Sequence, residues 1–286
     1  MSLDAYINGT FMPLDQASLH VSDLAIQRGY GIFDFFKVKS HVPLFLNDYL
    51  DRFYRSAEMM GLQGVMERDS LRKTIYELIE RNGIPDAGMK MILTGGYSPD
   101  AYNPVNGNFI LSEHPLVMPT SVQIEQGIKV ITYPYRRELP EVKTINYIMG
   151  VWLLSKMKEQ SAVDVLYHQD GVVSEFPRCN FFMVTRNGVL VTPDKYVLHG
   201  ITRKKILQVA EGVTRVELRT VKLDEVRQAS EAFLTSTTKK ILPIVRMDNT
   251  VIGSGAPGPI TLELLKALSV LEETEVNKEK ELFKIQ

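Results

Sequence analysis

The pattern of apolar and polar positions divides the chain into short strand-like runs and longer helical ones. Tyr6-Ile7-Asn8-Gly9-Thr10-Phe11 sets an Asn-Gly pair between apolar residues, the short-range pattern of a β-hairpin. Residues 31–38, rich in aromatic and β-branched side chains, predict a further strand. After Asn47, a candidate N-cap, the residues Leu50, Phe53, Tyr54, Ala57 and Met60 recur at helical spacing. A second helix opening at Asp69 runs through Leu71, Ile75, Leu78 and Ile79 and stops at Gly83. Strands return at 89–94 and 108–111.

Between Ser112 and Gly127 the chain carries two prolines, mixed polar residues and no sustained period. This marks an interdomain connection at 116–127, with a small N-terminal α/β domain at 1–115 and a larger C-terminal domain at 128–286. The second domain is expected to contain a strand at 128–133, a helix from about Asn146 to Glu159, and hairpins turning at Asp170-Gly171 and Asn187-Gly188. Then follow a helix from Thr202 to about Glu211, a short helix near Asp224, a strand at 232–235 and a terminal helix from about Thr261. The charge-rich residues 272–286 are expected to fray. Strands and helices mix without regular alternation or internal repeat, so the fold class is α+β (mixed α/β).

Composition narrows the function. With 33 basic against 34 acidic side chains the net charge is -1, so no global field favours nucleic acid or an anionic membrane, and small solutes are the expected ligands. No apolar run is long enough to span a bilayer, and the N-terminus lacks the basic-then-apolar order of a secretion signal. The single cysteine, Cys179, cannot form an internal disulfide. A cytoplasmic protein is expected.

The candidate chemistry begins at Lys143. Leu139-Pro140 just before it imposes an extended approach, and a helix follows, so the stem is expected at a strand end where its amine can be desolvated. Taken alone, a lysine is more often a solvated surface group. Downstream stand Glu175, Asn180-Phe181-Phe182, Thr192-Pro193 and Gly200-Ile201-Thr202-Arg203. An amine for an aldehyde, an acid for a ring nitrogen and backbone donors at a helix start are the three groups needed to hold pyridoxal 5′-phosphate.

The ordered segments Lys143-Thr144-Ile145-Asn146-Tyr147, Val173-Ser174-Glu175 with Asn180-Phe181-Phe182, and Leu198-His199-Gly200-Ile201-Thr202-Arg203 resemble the class IV aminotransferases. That family holds the D-amino acid and branched-chain aminotransferases and aminodeoxychorismate lyase. The resemblance extends upstream to Arg28-Gly29-Tyr30-Gly31-Ile32-Phe33-Asp34 and Asp51-Arg52-Phe53, and downstream to Thr235-Ser236-Thr237-Thr238 and residues 255–261. It implies a two-domain, fold type IV enzyme like the D-amino acid aminotransferases, with pyridoxal 5′-phosphate as cofactor.

By that resemblance Lys143 is the Schiff-base lysine and the base that moves the substrate's proton, and Glu175 pairs with the pyridine nitrogen. Gly200, Ile201 and Thr202, together with Thr237, Thr238 and Arg52, are implied to hold the phosphate. Tyr147 corresponds to a tyrosine that bonds the phenolic oxygen, Leu198 packs on the ring face, and Arg136 corresponds to a supporting arginine. Each of these also has a plain reading as a core or surface residue.

Substrate choice rests on a departure from the family. D-amino acid aminotransferases of the familiar type hold the α-carboxylate with an Arg-x-His pair, where this chain has Ser98-Pro99-Asp100-Ala101-Tyr102. Arg28 and Lys90 are read as a substitute clamp, with Phe33, Tyr30 and Tyr97 shaping an apolar pocket. The reading favours D-amino acid transamination over the branched-chain activity, with aminodeoxychorismate lyase third. A homodimer in which Arg28 acts across the interface is implied by the resemblance alone.

Overall fold

The computed structural model describes residues 3–283, which form two compact units. The first comprises the chain up to Leu116, the segment Val142–Asn146 and the residues from Thr274 onward; the second comprises Val117–Glu141 and Tyr147–Glu273. Two segments that the linear reading gave to the second domain therefore group with the first, among them the one bearing Lys143.

The first unit is built on strands β1 (Asp4–Ile7), β2 (Thr10–Pro13), β3 (Gly31–Lys39), β4 (Val42–Pro43), β5 (Asp86–Thr94) and β6 (Phe109–Pro115). They form an antiparallel sheet in the order β2-β1-β6-β5-β3-β4. Strand alternation sorts its side chains onto two faces. One face buries Ile32, Phe36 and Val38 of β3 with Met89, Met91 and Leu93 of β5. Helix α1 (Leu24–Arg28) precedes β3, α2 (Leu46–Met59) packs on β3, and α3 (Arg68–Asn82) packs on β1 and β6. The helices contribute Leu50, Phe53, Leu71, Ile75 and Leu78, all fully buried, each worth about 1.5–3 kcal/mol of transfer free energy.

Helix starts differ from expectation. Helix α2 opens one residue before Asn47, behind Phe45 in the left-handed region and without a side-chain cap; the Asn47 side chain instead accepts from Arg72 of α3. Helix α3 opens at Arg68, because the Glu67 carboxylate caps the Ser70 amide at 3.0 Å. Gly83 ends it in the left-handed region, as its position suggests.

The second unit carries α4 (Ser121–Gln126), β7 (Ile128–Pro134), α5 (Ile148–Trp152), α6 (Leu154–Glu159), β8 (Asp164–Gln169), β9 (Val172–Val173), β10 (Asn180–Val184) and β11 (Leu190–Thr192). They are followed by α7 (Ile201–Ala210), β12 (Val216–Leu218), α8 (Leu223–Arg227), β13 (Glu231–Ser236), β14 (Lys240–Met247), β15 (Thr250–Val251) and α9 (Pro259–Phe283). The sheet runs β12-β11-β10-β13-β14-β7-β8-β9, with β15 on β14; β7 lies parallel to β14 and β8, and β11 parallel to β12. Its two faces head separate cores. Phe181, Met183, Ala232 and Leu234 enter one and Phe182, Val184 and Phe233 the other, with the cross-strand pair Phe182 and Phe233 stacked at 5.0 Å.

Three expectations change here. The stretch expected to be an irregular connection contains α4, nucleated by a Thr120–Gln123 capping box. The helix expected over 146–159 is two pieces that meet at Leu153, which is fully buried. Residues 272–283, expected to fray, continue α9, with Glu272 and Val276 buried. Leu264, Leu268, Glu272 and Val276 recur every four residues, so a buried stripe runs on beneath the charged composition. Tyr76 of α3 donates to Glu279 at 3.3 Å and ties the later part down.

Candidate active site

In the first unit, the lysine segment acts as one more strand beside β3. Phe33 N–H donates to the Lys143 carbonyl at 2.9 Å, Ile145 N–H donates to the Gly31 carbonyl at 3.0 Å, and Ile32 bridges Thr144. A side chain on Gly31 would meet the Leu93 carbonyl at 2.8 Å and Ile145 at 3.2 Å, so only glycine allows this closeness. The Lys143 amine lies 4.6 Å from the centre of the Phe33 ring, and the Lys90 amine lies 5.6 Å from the same centre. Phe33 and Phe35 of β3 share a face with Lys90 and Ile92 of β5 through their register. Burial, with the charge of Lys90 added, holds the His114 imidazole below its usual value.

Arg52 projects to the opposite face. It grips Asp34 through Nε at 2.9 Å and Nη2 at 2.6 Å, and its guanidinium lies over Tyr49. The pair is almost wholly buried, so Asp34 fixes the direction of the Arg52 guanidinium.

The substrate-side candidates are spread over this unit. Arg28 ends α1, exposed, with Nη1 donating to the Gln27 carbonyl at 3.1 Å. The buried Asp23 carboxylate caps the start of that helix at Ala25 and accepts from Thr94 at 2.7 Å and Asn108 at 2.6 Å. The Tyr30 hydroxyl is spent on the Met60 carbonyl at 2.5 Å. Tyr97 is half exposed and packs edge-on against His20. Asp100 accepts from Ser98, Tyr102 and Asn103, and the Asn103 bonds come first in holding its carboxyl far below the usual carboxylate range.

In the second unit the geometry centres on Glu175. Its carboxylate is buried and accepts from Arg137 Nε at 2.8 Å, from Leu198 N–H at 2.9 Å and from Asn180 Nδ2 at 3.4 Å. Arg137 also places Nη2 at 2.7 Å from Glu175 and donates to the Pro140 carbonyl at 2.5 Å. Three donors, one of them the Arg137 guanidinium, fix this acceptor in place. The neighbouring Arg136 instead stacks over the Tyr196 ring at 4.1 Å. The two neighbouring arginines thus take different partners, and motif position by itself did not tell which of them meets the acid.

Asn180 organises the next turn. Its Nδ2 donates to the Leu198 carbonyl at 2.8 Å, and its Oδ1 fills the space where a Cβ on Gly200 would be. Gly200 is the N-cap of α7 and brings no side chain to the first amides of that ten-residue helix. Buried Arg203 locks the turn by donating to the Pro193 carbonyl at 2.9 Å and to Thr192 Oγ1 at 3.3 Å. Ile201 is buried and Thr202 half-buried, while Thr237 and Thr238 lie in the turn between β13 and β14. Tyr147 is the N-cap residue of α5. Cys179 is buried, and burial pushes its thiol up to about 11, which suits packing and not nucleophilic attack.

Each unit by itself offers groups suited to a phosphorylated pyridine aldehyde: the first an amine aligned by strand pairing, the second a fixed carboxylate and a side-chain-free helix start shaped around Asn180. Arg137, Asn180 and Arg203 went without assigned roles in the sequence reading. The Asn180-Phe181-Phe182 and Gly-Ile-Thr-Arg patterns signalled the last two.

Known proteins agree with this chemistry. The sequence profile of the family described as Amino-transferase class IV matches residues 31–247. A D-alanine aminotransferase of Bacillus licheniformis is 30% identical over 275 residues, covering 93% of this chain and 97% of that one. The branched-chain amino acid aminotransferase of Escherichia coli superposes with a TM-score of 0.89 at 22% identity, covering 95% of each chain. The T.th. branched-chain amino acid aminotransferase, solved with pyridoxamine 5′-phosphate, gives a TM-score of 0.86 at 22% identity, covering 94% of this chain and 93% of its own.

Proposed function

The chain belongs to the class IV aminotransferases, enzymes that use pyridoxal 5′-phosphate, and from that membership we propose that it moves an amino group between a D-amino acid and a 2-oxo acid. When bound, the cofactor supplies an aldehyde that takes up the amino group and a protonated ring that draws electrons from the substrate's α carbon. Lys143 would hold that aldehyde and, once its amine is free, take the proton from the α carbon. Glu175 would keep the ring nitrogen protonated, with Arg137 and Asn180 keeping Glu175 in place. Gly200, Ile201, Thr202, Thr237 and Thr238 would receive the phosphate, with Arg52, oriented by Asp34, adding its charge; Tyr147 would meet the phenolic oxygen and Leu198 the ring face. The observation that carries the reading is the Glu175 carboxylate, buried and held by three donors beside a turn with no room for a side chain at Gly200.

The preference for D-amino acids is supported by the 30% identity to a D-alanine aminotransferase over nearly the whole chain, while the carboxylate-binding side calls for a clamp of its own. Asp100 is an ionised acid tied into its own loop and repels an α-carboxylate. Arg28, exposed at the end of α1, and Lys90, on the Phe33 face, are the cations offered in its place. A homodimer in which Arg28 serves the other subunit belongs to the same proposal. Ile148, Val151, Trp152 and Leu154, all more than half exposed on α5 and α6, support it as an apolar surface in want of a cover. No helix among the described residues is long and apolar enough to cross a membrane, and the free, buried Cys179 accords with a place in the cytoplasm.

The test is a half-reaction. The loaded protein is mixed separately with D-alanine, D-glutamate, L-leucine and L-valine while the visible band of the bound cofactor is followed. Bleaching by the D-amino acids alone is expected; bleaching by L-leucine and L-valine alone would establish the branched-chain reading. Borohydride trapping with peptide mapping should place the cofactor on Lys143.

A further inference from the structure

The turn between β13 and β14 is held far more firmly than a hairpin requires. Its loop is Thr237-Thr238-Lys239, and Lys240 closes it in the left-handed region at φ 51, where three-residue hairpins usually place glycine. Ser236 Oγ accepts from the Lys239 amide at 3.2 Å, and the Thr235 hydroxyl donates to the Lys240 carbonyl at 2.5 Å. The two lysines then diverge. The Lys239 amine pairs with Asp164 of β8 at 2.8 Å, and the Lys240 amine pairs with Glu272 of α9 at 2.9 Å and reaches Ser269 at 3.3 Å.

Asp164 and Glu272 are both buried, and the lysine side chains are largely so. Buried ion pairs add little net stability, because desolvation offsets their attraction, but they do fix geometry. What this pair of tethers fixes is the placement of the two threonines between them. Resting on the reading that Thr237 and Thr238 receive the cofactor phosphate, we propose that Lys239, acting through Asp164, is the positioning residue of the phosphate-binding turn. Lys239 does not touch the phosphate; its amine is engaged by Asp164, and it holds the loop so that the threonine donors converge. Pre-placed donors bind an anion without first losing loop entropy, so loosening the tether should weaken recognition of the phosphate and of no other part of the cofactor.

The test compares pyridoxal 5′-phosphate with pyridoxal, which lacks the phosphate, by titrating each into the full-length chain. Lys239→Gln should lower affinity for the phosphorylated form about tenfold, about 1.4 kcal/mol, and leave pyridoxal unchanged. Lys239→Arg should restore most of the loss, and the exchange of Lys239→Asp with Asp164→Lys should restore part of it. If Lys239→Gln does not fold, Asp164→Asn serves the same comparison. Equal loss for both ligands, or no loss for either, overturns the proposal. Thr237→Ala and Thr238→Ala separate the two levels. If they reduce the phosphate preference while Lys239→Gln does not, only the positioning role falls. If neither they nor Lys239→Gln reduce it, the turn is not the phosphate site.

Discussion

Glu113 on β6 lies at 0% exposure, and neither of its carboxylate oxygens has a hydrogen-bond partner. Its cross-strand neighbour is Met89, itself fully buried, on the face of the sheet that carries the core. Burial lifts its carboxyl from 4.5 to about 7, with the nearby Asn82 amide working weakly the other way. Between those two values the folded protein retains a proton that the unfolded chain has released. Stability therefore falls as pH rises through this window and levels off above it. At 1.36 kcal/mol per pH unit, the full loss is on the order of 3 kcal/mol. Glu113→Met, an apolar replacement of similar length, removes the penalty. Calorimetric melting of the loaded protein from pH 4.5 to pH 8.5 should show variant and parent close together at the acid end. At the alkaline end the variant should melt higher by roughly 5–10 °C, at a few degrees per kcal/mol. Taking the difference between the two proteins cancels other groups that titrate nearby, such as His114. A melting difference that does not change with pH would refute the reasoning.

Arg137→Gln should strip Glu175 of its ionic partner and lower kcat by about a hundredfold, on the scale of breaking a buried pair, whereas Arg136→Gln should change kcat by less than about threefold; steady-state kinetics on both decides which arginine supports the acid. Gly200→Ala would drive a methyl against Asn180 Oδ1, and cofactor release after dilution should become faster, with unchanged release arguing against the tight turn. Arg28→Leu should raise KM for every amino donor with little effect on kcat, and an unchanged KM would remove Arg28 from the site.

The local elements were readable where a short-range rule governs them. Asn8-Gly9 and Asp170-Gly171 both adopt positive φ at their hairpin turns, and Gly83 ends α3 in the left-handed region. The motif residues were readable because each cofactor-binding function needs a particular side chain at a particular place in the order of the chain. Less was readable where a residue's partner lies far along the sequence. Arg52 meets Asp34 of β3, Arg137 and not Arg136 meets Glu175, and residues 274–283 continue a helix despite their charge.

By themselves, the amino acids of this chain determined its class of chemistry, the turns and strands that frame it, and its membership of the class IV aminotransferases. These follow from local backbone preference and from the reactivity of single groups, which travel with the residue wherever it is placed. Only the tertiary structure decided that the Lys143 segment pairs with β3, that Glu113 is wholly buried, and that Lys239 and Lys240 tether one turn in two directions. Strand register, burial and ion pairing depend on which distant segments meet, and that is settled when the whole chain packs.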